Sequence, residues 1–408
     1  MSNVAGLLAE IAPIGLAATG GYRRFAYTDA DALLREWFTA SAEQRGLDVG
    51  TDRAGNLWAW WGDPDSQGPG LVVGSHLDSV PDGGAFDGPL GVTSSFAALD
   101  LLRESGFAPT VPIGVACFAD EEGARFGIAC AGSRLLTGAL DADRARALTD
   151  SEGVTLDEAA RAAGVRDLGA DPAALRRVGR FVELHVEQGR GLVHSGDPVG
   201  VGGAIWPHGR WRVELAGRAD HAGTTALADR ADPMLDLARL ITGARAAAER
   251  HGALATVGKV RVVPGGVNAI PSQVTAWLDA RAADETRLRA VLADLADLAL
   301  IEESITARTE LDPDLAGRIA GLLAAPVLDT GAGHDAGVLA QAGVPTSMLF
   351  VRNPTGVSHS PHEHAEDDDC RAGVTALVRV IEQLAGPPHR LEQSPGRPQS
   401  EHERGARP

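Results

Sequence analysis

Three apolar segments of this chain each run into acids or histidine: LVVGSHLD over 71–78, VPIGVACFADEEG over 111–123 and RFVELHVEQG over 180–189. A short apolar run without alternation reads as a strand covered on both faces. Between the first two lies VTSSFAALDLLRESG (92–106), whose apolar residues recur at helical spacing and stop at Gly106. Buried strands alternating with helices predict an α/β domain with a mostly parallel central sheet flanked by helices. In such sheets ligands collect beyond the carboxyl ends of the strands. The polar clusters here sit at those ends. The stretch 81–92, PDGGAFDGPLGV, is too rich in Gly, Pro and Asp for an element interior and is read as a loop.

The pattern changes near residue 208. Residues 210–219 alternate like a half-exposed strand, and PMLDLARLITGARAAAER (233–250) follows as a helix. Then come a strand (254–263), a turn at Pro264, a strand (273–282), a helix (285–300) and a closing strand at 301–309. This βαββα run predicts a small α+β sandwich inserted in the larger domain. After about residue 312 the α/β pattern resumes. The expected division is 1–207 with 312–386 for the large domain, 208–311 for the insert, and a disordered, apolar-poor tail over 387–408.

Composition narrows the partners. Fifty-five acidic and 37 basic residues give a net charge of −18, which argues against nucleic acid or an anionic membrane. No apolar run reaches the length of a membrane span. The opening MSNVAGLLAEIAPIG lacks the basic start and apolar core of a signal peptide. Three cysteines (Cys117, Cys130, Cys370) form no disulfide framework, so a reducing cytoplasm is expected. No Walker-type loop or dinucleotide fingerprint follows a strand.

Several residues could hold metal. His76 and Asp78 form an H-x-D pair, in which Asp78 could orient the imidazole; alone it reads equally as a polar loop. Asp87 sits on a glycine-flanked loop that could bring a carboxylate to a metal, or could be a plain Asp-Gly turn. Glu121 and Glu122 follow Asp120 at a strand end. Adjacent acids there repel unless a cation compensates, and one could bind metal while the other takes a proton from water. An acidic helix start is the alternative. His185 lies in an apolar strand, where most histidines only pack. His359, His362 and His364 crowd VSHSPHEHAEDDD around Glu363. Together these supply the donors for a two-metal site with one bridging carboxylate and ions roughly 3.5–4 Å apart. Mixed imidazole and carboxylate ligands suit Zn²⁺, Mn²⁺, Co²⁺ or Ni²⁺ rather than Ca²⁺.

The segments GSHLDSVPDGGAFDGPLGV, FADEEGARFG, ELHVEQG, DHAGTT, VPGGVNAIPS, LDAR, GAGHDAG and GVSHSPHE occur in one order from about residue 74 to 363. With them the chain resembles the amidase branch of the dinuclear zinc peptidase superfamily, which holds allantoate amidohydrolases, N-carbamoyl-L-amino-acid hydrolases and β-ureidopropionases. The resemblance implies two divalent ions per subunit. His76 and His185 would bind one, Glu122 and His359 the other, with Asp87 bridging. Glu121 would be the general base acting on the bridging water. The insert would be a lid and dimerisation domain whose His221 reaches the partner's active site in a homodimer. Gln188 would meet the ureido group, and Arg210, Asn268 and Arg281 would contact a small ureido or acylamino carboxylate.

The sequence departs from the family in the lid. His221 is followed by AGTTAL, where the family usually reads AGTTPM, and His208-Gly209 precede Arg210 where relatives commonly have Gln-Arg. Arg352 and Asn353 fall where relatives vary. The expected reaction is hydrolysis of a linear C–N bond, releasing ammonia and carbon dioxide. The alternatives are an N-formyl or N-acyl amino acid hydrolase, for example on N-formylglutamate, a dipeptidase-like exopeptidase, and an inactive binding protein. His185 counts against the exopeptidase, whose relatives place an acid there.

Overall fold

A computed structural model describes residues 3–387. The expected tail, apart from Pro387, lies outside the described residues. The large sheet is nine-stranded. Its first strands are β1 (Asp48–Thr51), β2 (Leu57–Trp61), β3 (Gly70–His76), β4 (Ile113–Phe118), β5 (Val178–Val186) and β6 (Val199–Ile205). The insert contributes β7 (His208–Ala216), β8 (Asp220–His221), β9 (Ala253–Val263), β10 (Ala269–Ile270), β11 (Gln273–Ala282) and β12 (Ile301–Thr306). The chain then returns with β13 (Thr309–Glu310), β14 (Val327–Thr330) and β15 (Thr346–Val351). The order is β1-β2-β4-β3-β5-β15-β6-β13, with β14 beside β6. The central strands β4, β3, β5 and β15 run parallel, so their carboxyl ends open on one edge. The hairpin β1–β2 and strand β6 flank them antiparallel.

Why the three segments read as unbroken apolar runs is plain from the packing. Side chains alternate across a strand, and both faces of this sheet are covered. Leu71, Val73, Val115, Cys117, Val182 and Leu184 face one core with Phe38, Phe96, Leu99 and Leu377. Val72, Ala116, Phe118 and Phe181 face the other with Leu135, Leu156 and Leu339. Trp58 and Trp60 pack into that second core, ring centroids 6.3 Å apart.

Two local expectations need correction. The loop expected over 81–92 ends early, because the helix starts at Pro89 and runs to Glu104. Proline is favoured there, since a first-turn N–H has no helical partner to lose. The helix expected over 285–300 stops at Asp294 and tightens into a 3₁₀ turn, Ala296–Leu298. The insert forms a second, antiparallel sheet in the order β12-β7-β11-β9. The helices Pro233–His251 and Glu285–Asp294 cover one face, burying Trp211, Val213, Leu240, Ala276, Leu278 and Val291. No helix among the described residues is long and apolar enough to cross a membrane.

Candidate active site

His76 is the last residue of β3, the Glu121–Glu122 pair follows β4, and His185 lies near the end of β5. Asp87 arrives on the loop before the helix Pro89–Glu104. His359 arrives on the loop after β15. Parallel topology therefore collects five distant segments at one edge. Asp87 divides its two oxygens between two groups. Oδ1 lies 3.5 Å from His76 Nε2 and 3.2 Å from His185 Nε2. Oδ2 lies 3.6 Å from His359 Nε2, which is 3.5 Å from Glu122 Oε2. The first trio is buried; the second opens through His359, whose side chain is 49% exposed.

The buried trio fits a cation. His76 and His185 hold their Nε2 atoms buried with no hydrogen-bond partner among the described residues. Their other nitrogens are occupied: His76 Nδ1 lies 3.2 Å from the Asp78 carbonyl and His185 Nδ1 2.9 Å from that of Val186. A donated Nδ1 proton leaves Nε2 with a lone pair, which is the tautomer a metal needs. Burial lowers the pKa of His185, but the Asp87 carboxylate 3.2 Å from its Nε2 outweighs it and carries the imidazole up to about 9. This carboxylate-rich pocket thus attracts positive charge. The donor set, imidazole and carboxylate, is that of zinc-like ions.

Asp78 does more than orient a ring. It lies beyond the end of β3, which stops at His76. Its Oδ1 is 3.4 Å from His76 Nδ1, and its two oxygens accept from the backbone N–H groups of Glu121 (3.1 Å) and Glu122 (3.0 Å). One carboxylate fixes a histidine and both glutamates. The turn passes through Asp120 at φ 52, and His359 stands at φ 54. Left-handed backbone is uncommon outside glycine and concentrates at functional sites.

Glu121 is 5% exposed. Its Oε2 lies 3.8 Å from His76 Nε2, and its Oε1 accepts from the Cys130 thiol at 3.2 Å. Burial first, then Asp335, Glu122 and Asp78 against the opposing pull of His76, holds its carboxyl well above the usual range. Gln188 donates through Nε2 to Asp87 Oδ2 at 2.8 Å, while its Oε1 is buried with no partner among the described residues.

Three residues missed as contributors brace this set. Glu363 Oε1 accepts from the N–H groups of Phe86 and Asp87, both at 2.9 Å. Ser358 Oγ donates to Asp87 Oδ2 at 2.9 Å. Cys130 is the third. Glu363 stands out locally among the histidines, but nothing in the sequence links it or Ser358 to Asp87, because 271 to 277 residues separate them from Asp87 and its neighbour. The remaining histidines differ: His362 is exposed, and His364 pairs with Glu366 at 3.3 Å. His334 is buried against His185, ring centroids 4.6 Å apart.

A cleft of about 870 Å³ is lined by Gln188 and His359 and by Arg281 and Asp279 of the insert. Arg281 is already held: Nε and Nη2 donate to Asp279 at 2.7 and 3.0 Å, and Nη1 to the Gly331 carbonyl. Arg210, opposite Asp279 in the ladder, lies 3.8 Å from the same carboxylate. Asp279 and Arg281 lie two apart on β11, and such residues share a face. His221 and Asn268 do not line the cleft. Both are exposed, His221 in β8 and Asn268 in the turn just before its partner strand β10, and Thr225 Oγ1 donates to the His221 carbonyl.

A parallel-cored sheet with imidazoles and carboxylates at its carboxyl edge, and a buried glutamate beside them, defines a hydrolase of the metal-assisted class. The chain matches Peptidase family M20/M25/M40 over residues 72–383, and it belongs to that family, in its amidohydrolase branch. It is 36% identical to the N-carbamoyl-L-amino acid amidohydrolase of Geobacillus stearothermophilus, over 93% of this chain and 97% of that one. It is 31% identical to the allantoate amidohydrolase of Escherichia coli, over 92% and 96%. The crystal structure of AtUAH in complex with glyoxylate superposes with a TM-score of 0.86 at 28% identity, covering 94% of this chain and 98% of that one.

Proposed function

We propose that this protein hydrolyses a linear C–N bond of a small ureido carboxylate, an N-carbamoyl-L-amino acid or allantoate. The observation that carries the reading is the division of Asp87 between the two trios, with Glu121 alongside. His76, His185 and Asp87 would hold one divalent ion, and Asp87, Glu122 and His359 the other; Zn²⁺, Mn²⁺, Co²⁺ and Ni²⁺ all suit these donors. Such ions would polarise the ureido carbonyl and make water a nucleophile near neutral pH.

The chain's own residues do the rest. Glu121 accepts a proton from the attacking water. It then hands that proton to the departing nitrogen. Cys130 and the Asp78-held turn fix its position. Gln188 Oε1, buried with no partner among the described residues, accepts from a ureido N–H. Arg281, on the cleft wall, would meet the substrate carboxylate, with Arg210 beside it through Asp279; Asn268, like His221, lies outside the cleft of its own chain. Because His221 lies outside the cleft of its own chain, we assign it to a second copy, where His221 of the partner subunit donates to the developing oxyanion. Cleavage on the amino-acid side leaves a carbamate, which falls apart to ammonia and carbon dioxide.

The test is ammonia release by metal-stripped protein resupplied with each of the four ions. The substrates are allantoate, several N-carbamoyl-L-amino acids and N-formylglutamate. Metal-dependent ammonia release supports the ureido reading. Amino acid without ammonia moves the enzyme to N-acyl chemistry. For the dimer, mixing inactive His221→Ala and Glu121→Gln chains should restore part of the activity. No recovery in verified mixed dimers defeats action across subunits.

A further inference from the structure

Three large apolar side chains line the same cleft as Gln188, His359 and Arg281: Phe350, Leu328 and Trp206. Phe350 of β15 pairs with His185 of β5 on one side and with Gly200 of β6 on the other. Its ring centroid is 6.4 Å from that of His334, which packs on His185. Phe350 therefore stands at the end of the cleft that holds the candidate ligands. Leu328 of β14 closes over Gly200, where a Cβ would lie 3.0 Å from Leu328 Cδ1.

Trp206 carries the wall on to the insert. It follows β6 directly and donates its N–H to the Thr330 carbonyl at 2.8 Å. A Cβ at Gly331 would lie 3.3 Å from the Trp206 ring, and the Gly331 carbonyl takes Arg281 Nη1 at 2.8 Å. Gly331 thus joins the ring to the guanidinium. Arg281 has five N–H groups. Asp279 and Gly331 use three of them, which leaves two for a carboxylate. An apolar wall therefore runs from beside the ligands to an arginine held in place with donors to spare.

We propose that Trp206, Leu328 and Phe350 form the subsite for the substrate's side chain, and that the enzyme takes N-carbamoyl-L-amino acids with a bulky apolar side chain in preference to allantoate. The inference rests on the ureido carboxylate reading and deepens it. With the ureido group at the ligands and the carboxylate at Arg281, the substituent on the carbon between them meets this wall. A leucine or phenylalanine side chain buried there gives roughly a ten- to hundredfold gain over hydrogen. Allantoate carries a second ureido group at that place. Its N–H groups need acceptors, and the nearby carboxylates are engaged: Glu187 with the N–H groups of Gly191 and Leu192, Asp329 with Arg308. A polar group buried without such partners loses what an apolar one gains. Size points the same way. At about 870 Å³ the cleft is large among small-molecule sites, which span roughly 300–1,000 Å³.

The experiment compares kcat/KM for ammonia release by metal-loaded wild-type protein. The substrates are N-carbamoylglycine, N-carbamoyl-L-leucine, N-carbamoyl-L-phenylalanine and allantoate. Leucine and phenylalanine derivatives should exceed the glycine derivative by about ten- to hundredfold, with allantoate below both. In Trp206→Ala and in Leu328→Ala the phenylalanine-to-glycine ratio should fall severalfold, and Trp206→Phe should keep most of it. Glycine derivative or allantoate as the best wild-type substrate overturns the proposal and leaves the ureido reading standing. An equal loss for phenylalanine and glycine derivatives in both alanine variants also overturns it, because the wall would then only support the fold. Failure of the ureido reading shows separately, as no ammonia from any of the four, and takes this inference with it.

Discussion

Glu363→Ala should damage the site from outside it. Glu363 is 6% exposed, and its Oε1 is the acceptor for two backbone N–H groups, those of Phe86 and Asp87. Removing it strands one buried and one half-buried amide. Each unmade bond costs about 1–3 kcal/mol, so the loss is roughly 2–5 kcal/mol. The loop carrying Asp87 would then relax, and disturbing such a brace typically weakens metal binding about 10–100-fold. Glu363→Gln keeps a carbonyl oxygen for the same two amides and should cost about 1 kcal/mol. The assay is urea unfolding of metal-stripped protein, paired with metal content after dialysis against a competing chelator. Alanine within about 0.5 kcal/mol of wild type, with metal retained, would refute the reasoning. Glutamine as harmful as alanine would also refute it, because the amides would then not be what matters.

Gly88→Ala should disable the buried trio, since its Cβ would fall 2.4 Å from His76 Cε1 at φ 82; metal content equal to wild type would contradict that. Stripping the ions should abolish turnover and lower the melting temperature, and resupply at about a thousand times Kd should return about 4 kcal/mol; melting indifferent to metal concentration would sink the metal reading. In metal-stripped protein, burial and then Asp87 push Glu363 up to about 7 from 4.5. The folded state therefore binds the extra proton, and its stability should fall by up to ~3 kcal/mol as pH rises from 4.5 through 7, a slope that Glu363→Gln removes. A stability profile identical in the two proteins over that window counts against it.

The catalytic edge was legible because sequence and chemistry are local there. His76, Glu121, Glu122 and His185 each lie at or beside the end of an apolar run, and parallel topology brings such ends together. Asp87 and His359 were readable only through the resemblance, because each sits on a loop whose composition also fits a plain turn. The braces were not legible. The Glu363 bonds span 276 and 277 residues, and no spacing rule links a loop acid to amides that far away. Helix ends slipped for a different reason. The glycines and acids of 81–92 mark a loop, but Pro89 within them starts a helix, and composition over a window does not see one capping position.

Net charge also misleads when taken over the whole chain. At −18 the protein should repel an anionic substrate, yet charges beyond about 8–10 Å are screened at ordinary ionic strength. What an incoming carboxylate feels is the balance inside the cleft. There the acids are occupied: Glu187 by backbone amides, Asp329 by Arg308, Asp279 by Arg281. In the proposed function Asp87, Glu121 and His359 would act on the C–N bond itself, and changes at this set should remove the reaction for every substrate.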